Sequence, residues 1–106
     1  MTLDEQYQGI IDDQRSHLLG MQKEFNDLCE SEKKKAQDKL AQLPKEDREG
    51  RQAVLEDQKK VLDDALASLK SDVAESTRHT MHSLEGIIRQ KETLVLKDLE
   101  RQLAAL

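Results

Sequence analysis

Apolar residues recur every three or four positions along the first part of the chain: Leu3, Tyr7, Ile10 or Ile11, Leu18, Met21, Phe25, Leu28, Ala36, Leu40 and Leu43. Steps of three and four place them on one face of an α-helix. A second series runs through Val54 or Leu55, Val61 or Leu62, Leu66, Leu69 and Val73. After a polar stretch from Glu75 to Thr80 it resumes with Met81, Leu84, Ile87 or Ile88, Leu94 or Val95, Leu99, Leu103 and Leu106. No single heptad frame holds both parts, and an extra four-residue step is expected between Thr80 and Leu84, a stutter that locally relaxes a left-handed coiled coil. Ser76, Thr77 and Thr80 stand where large apolar side chains are expected, so the seam is predicted to loosen there. A hinge or a foreign side chain would enter at that level.

Between the two series lies Leu43-Pro44-Lys45-Glu46-Asp47-Arg48-Glu49-Gly50. Pro44 lacks an amide hydrogen and clashes with the preceding turn, at about 3 kcal/mol inside a helix, yet it suits the first turn of a new one. Glu46, Asp47 and Glu49 favour the positive end of that new helix. The pattern predicts an all-α fold of two long antiparallel helices, a coiled-coil hairpin with a break near residues 43–50. Residues 1–106 form a single module: helix one spans about residues 2–43, the turn 43–50 and helix two about residues 47–106. A kinked continuous helix is the alternative.

Thr2 followed by Glu5 has the spacing of a capping box. Gly9 and Gly20 each weaken helix one by about 1 kcal/mol relative to Ala.

A chain folded back at the break makes neighbours of residues whose numbers add to about 94. The apolar positions match on that rule: Leu40 with Val54, Leu28 with Leu66, Phe25 with Leu69, Met21 with Val73, Ile11 with Leu84 and Tyr7 with Ile87. Helix two outreaches helix one by roughly 25–30 Å at 1.5 Å per residue. Leu3 then lies opposite Lys91, and Leu94, Val95, Leu96, Leu99, Leu103 and Leu106 in the overhang 92–106 have no partner within the chain. These six are the candidate partner-binding residues. Leu96, Leu99, Leu103 and Leu106 carry the spacing a helix uses to enter a groove, so the module is expected to be oligomeric. The chain ends in helical register without a stop signal, as in a piece of a longer polypeptide.

Composition narrows the function classes. Charged residues make up 37% and apolar residues 36% of the 106 residues, the balance of long helices and not of a disordered tract. Tyr7 and Phe25 are the only aromatic residues, too few for a thick core. The net charge of −5 opposes binding to nucleic acid or anionic lipid. Lys33, Lys34 and Lys35 are flanked by Glu30, Glu32 and Asp38, as in pairs on a solvated face. The single Cys29, expected beside Ala65 as a small half-buried hydrophobe, closes no intrachain disulfide and fits a cytoplasmic setting. No run approaches the roughly 20 apolar residues of a membrane span.

His79 and His82, with Glu75 a turn before and Asp12, Asp13 and His17 expected opposite, are the one conceivable metal constellation. A His-x-x-His pair with no Glu-x-x-His repeat on both helices does not define a metal site, and these residues read as polar positions at a loose or solvated layer. If His17 and His79 shared a desolvated layer, protonation would loosen that end below about pH 6.5. No nucleophile–base arrangement or phosphate loop occurs, and a narrow seam offers no pocket of a few hundred cubic ångströms. No catalytic, cofactor-binding or metal residue is assigned, no small-molecule substrate is expected, and the chain reads as a non-enzyme.

The expected function is protein–protein interaction and assembly within a larger scaffold protein of cytoskeletal or trafficking type. The hairpin would self-associate as a homodimer or dock a heterologous coiled-coil helix. The alternative is a parallel dimeric rod acting as a spacer or oligomerisation stalk. In that rod Gln14, Glu32, Lys35 and Lys39 would face their own copies, with like charges opposed. In the hairpin Glu32 falls near Leu62 and Lys59. A lipid-surface helix would need a Lys/Arg-rich face opposite bulky aromatics, and neither is present.

Overall fold

The computed structural model describes Met1–Leu106 and contains two helices, α1 (Leu3–Ala41) and α2 (Arg48–Ala105). Helix α1 opens on the expected cap: Thr2 Oγ1 accepts the Glu5 amide hydrogen at 3.1 Å. Asp4 and Glu5 fill its first turn, where the helix dipole favours negative charge.

The break is sharper than the sequence pattern implied. Helix α1 ends in two tightened turns, with Gln42 N–H donating to the Lys39 carbonyl and Leu43 N–H to the Leu40 carbonyl, both at 3.2 Å. Pro44 lies in the connection itself and not in the first turn of α2. Asp47 is the cap of α2: its Oδ1 accepts the Gly50 amide hydrogen at 2.9 Å, and its carbonyl accepts Arg51 N–H at 3.1 Å. A short acidic side chain is among the best residues for this position, because it satisfies an amide that has no partner in the helix. Arg51 then reaches back, its Nη1 donating to the Leu40 carbonyl at 3.2 Å. The orphan end of α1 is thus held by a cation on α2, and a continuous helix through Pro44 is excluded.

The chain divides into a turn unit, Leu18–Val73, and a terminal unit, Met1–His17 with Ala74–Leu106. In the turn unit α1 shields Leu18, Met21, Phe25, Leu28, Cys29, Glu32, Ala36 and Leu40, and α2 shields Arg51, Val54, Gln58, Leu62, Ala65, Leu69 and Val73. Ala36 is buried, and no side chain is wholly enclosed. In the terminal unit the shielded positions are Leu3, Gln6, Ile10, Ile11 and Gln14 of α1, with Ser76, Thr80, Ser83, Leu84 and Ile87 of α2.

These positions repeat at an interval of eleven: Phe25 and Ala36, Leu18 and Cys29 and Leu40, Arg51 and Leu62 and Val73 in the turn unit; Leu3 and Gln14, Ser76 and Ile87 in the terminal unit. Eleven residues in three turns is about 3.67 per turn, close to the 3.6 of a relaxed helix, whereas a heptad requires 3.5. The expected single stutter at Thr80 is therefore corrected, because the extra step recurs every third turn. Ala65 replaces Leu66 on the shielded face. Leu55, Val61, Leu66, Met81 and Ile88 stand exposed.

Candidate functional site

The polar layer of the terminal unit is closed, not loosened. Gln14 Oε1 accepts hydrogen bonds from Ser76 Oγ at 2.9 Å and Thr80 Oγ1 at 2.8 Å. Ser76 and Thr80 are one turn apart on the same face of α2, so one carbonyl oxygen with two lone pairs serves both. Thr77 faces solvent. The layer expected to admit a foreign side chain is filled by the chain's own glutamine, and no buried side-chain polar atom lacks a partner. In a parallel rod Gln14 would face its own copy; here it is the acceptor that sets antiparallel register.

Cross-helix hydrogen bonds and ion pairs join residues whose numbers add to between about 90 and 95, near the expected rule. The last is Lys91 Nζ to Asp4 Oδ1 at 2.7 Å, an exposed pair next to Leu3. Beyond it α2 runs on alone. Leu94, Val95, Leu96, Leu99, Leu103 and Leu106 are all exposed, from 49% at Leu99 to 68% at Leu103, with Leu106 fully so.

These six do not form one surface. At about 100° per residue, Val95, Leu99 and Leu106 share a stripe, with Leu96 and Leu103 at its border. Leu94 lies on another side, where with Leu3, Arg89, Gln90 and Thr93 it lines a depression of about 400 Å³. A depression of that size was not expected from two helices; it arises where α1 begins and α2 continues past it. It is open, and its lining contains one cation and neither a carboxylate nor a thiol.

Two ridge residues were missed by pattern alone. Met81 and Ile88 are 56% and 47% exposed, and they extend the Val95–Leu99–Leu106 stripe by two turns on each step toward the N-terminus of α2. Each follows a shielded residue, Thr80 and Ile87, and so stands about 100° around the helix from the intrachain seam. The eleven-residue interval of the shielded positions separates the two faces. Read as heptads, Met81 and Ile88 merge with the seam.

The ridge has charged edges. Arg89 and Glu100 flank one side of the stripe, and Lys91 and Asp98 the other. Asp98 Oδ2 also accepts from Gln102 Nε2 at 3.1 Å. Glu92 interrupts the apolar run at its centre.

His17, His79, His82, Asp12, Asp13 and Glu75 are all exposed, and no three such side chains converge on a point. His17 and His79 therefore do not share a desolvated layer, which removes the basis for the expected loosening on acidification. Glu32 pairs with Lys35 at 3.4 Å on its own helix and not with Lys59. Lys59 instead meets Asp63 at 2.8 Å, and that hydrogen bond, with the carboxylate charge, holds the Lys59 ammonium above its ordinary pKa. Of the three clustered lysines, only Lys35 forms an ion pair. Cys29 is a half-buried free thiol.

No helix is long and apolar enough to cross a membrane. Compared with known protein families, curated proteins and solved structures, the chain matches none.

Proposed function

We propose that this chain is a non-catalytic assembly module of the cytoplasm, a coiled-coil hairpin whose exposed ridge on α2 self-associates or receives a partner helix within a larger scaffold. The supporting observation is the ridge itself. Met81, Ile88, Val95, Leu99, Leu103 and Leu106 lie exposed on one helix, beside a seam that is already filled. Burying one leucine is worth roughly 1.5–3 kcal/mol, so several left in water drive association. The parallel rod has less support, because Arg51 and Asp47 build a turn at the point where the rod needs a continuous helix.

Sedimentation equilibrium of the wild type and of Leu99→Asp/Leu103→Asp tests this reading. The wild type is expected to associate, and the variant to sediment as a monomer with its helix content intact. Association unchanged by both aspartates would remove the ridge as the contact. Robust pelleting with anionic vesicles at physiological salt would overturn the protein-assembly reading in favour of a lipid surface.

A further inference from the structure

Granting that the ridge is a docking surface, we infer that its occupant is the ridge of a second copy, laid antiparallel, with a two-fold axis near Leu94 and Val95. Three features of α2 carry this.

The first is the pattern of charges beside the stripe. In an antiparallel pair related by a two-fold axis, residues on one edge of a helix meet residues on the same edge of its partner. Arg89 and Glu100 share one edge, and Lys91 and Asp98 share the other. Both pairs have numbers adding to 189, so a single register sets Arg89 against Glu100 of the second copy and brings Asp98 of the second copy beside Lys91, whose ammonium meets the exposed Asp4 within its own chain. Symmetry doubles each pair, giving opposite charges on both edges.

The second is that the same register aligns the apolar residues. Numbers adding to 187 bring together Met81 with Leu106 and Ile88 with Leu99, each a layer of a coiled-coil contact, and set Val95 beside Glu92 of the second copy close to the two-fold axis. Glu85 falls beside Leu103, and Glu92 beside Leu96. The overlap covers residues 81–106, about 39 Å of helix.

The third is Glu92. A parallel pair in register would set Glu92 against its own copy in the middle of the stripe, an opposition of like charges that disfavours that arrangement. In the antiparallel register the two Glu92 side chains are offset along the axis by about 7 Å, one on either side of the two-fold, which lessens that opposition.

Disulfide trapping in a Cys29→Ser background tests orientation. Val95→Cys, near the axis, is expected to form a covalent dimer by itself. Ile88→Cys and Leu99→Cys are expected to cross-link poorly alone and efficiently when mixed. In the antiparallel register two copies of residue 88 stand about 19 Å apart along the axis, beyond the roughly 7 Å that a disulfide tolerates between Cα atoms.

Charge reversal supplies an independent measurement without cysteines. Arg89→Glu or Glu100→Arg alone should weaken the dimer by about tenfold, and the double reversal should restore it. Efficient self-cross-linking of all three cysteine variants would establish a parallel pair and overturn the register while leaving the ridge as the contact. A wild-type monomer at all accessible concentrations would overturn self-pairing and leave the docking of a foreign helix. Only a dimer indifferent to Leu99→Asp/Leu103→Asp would remove both.

Discussion

Gln14 and Thr80 meet across the two helices at 2.8 Å, and the glutamine oxygen that accepts from Thr80 accepts from Ser76 as well. Sliding α1 by one turn would break at least one of these two hydrogen bonds. A polar layer of this kind contributes less to stability than leucines would, and more to register. Gln14→Leu is expected to destabilise the hairpin by about 1–2 kcal/mol, by leaving two half-shielded hydroxyls without their acceptor. Gln14→Leu/Ser76→Ala/Thr80→Val should regain much of that loss and give a less uniquely paired hairpin. Urea unfolding of the variants, read with amide exchange near Ser76, checks both parts.

Asp47 and Gly50 are coupled in a way that yields a sign reversal. A Cβ at Gly50 would fall 2.9 Å from the Asp47 carboxyl carbon and closer still to Oδ2, so the carboxylate whose Oδ1 caps the helix would have to move. Asp47→Ala should cost about 1 kcal/mol. Gly50→Ala should be neutral or destabilising in the wild type, because the gain in helix propensity is offset by a displaced cap. In an Asp47→Ala background the same change should stabilise by about 0.5–1 kcal/mol. A thermal-unfolding cycle over the four proteins measures this; additivity would refute the coupling.

Gly9, Gly20 and Gly86 have open space where a Cβ would stand. Each is helical, so Gly→Ala at any of them should stabilise by about 0.4–1 kcal/mol, partly through the unfolded chain. Increases in midpoint temperature from Gly9→Ala and Gly20→Ala should add, since the sites are far apart.

Arg51→Met retains much of the side chain's apolar stem and removes the donor to the Leu40 carbonyl. The expected loss is about 0.5–1.5 kcal/mol, the net worth of one hydrogen bond. Faster amide exchange confined to the last turn of α1 would distinguish this local effect from general loosening.

For Lys59, the direction of its pKa determines the pH dependence. A lysine held above its ordinary value adds stability at pH values below the unfolded-state pKa near 10.5 and loses it as pH rises through the folded value. Lys59→Met should therefore be slightly less stable than the wild type at neutral pH, and the two should converge in strong alkali. The pair is exposed, so the difference will be small and reduced by salt. Denaturant midpoints compared at neutral and alkaline pH test the sign.

The helices themselves were legible because their causes are local: apolar steps of three and four, a threonine cap, and a proline that cannot continue a helix. The overhang was legible for a similar reason, since two arms of unequal length must leave one end unpaired. The finer division of α2 into two faces was not. A tract such as Met81, Leu84, Ile87 and Ile88 offers apolar residues on both sides, and periodicity alone does not say which side meets α1.

The amino-acid sequence by itself determined the number of helices, the place where the chain turns and the C-terminal tract left unpaired, because propensity, capping and chain length act over a few residues or along one rod. Only the tertiary structure decided the eleven-residue interval of the shielded faces, the glutamine that fills the polar layer and the separation of Met81 and Ile88 from the seam. Those depend on which side of one relaxed helix lies against the other, a balance of packing and hydrogen bonding between residues more than sixty positions apart.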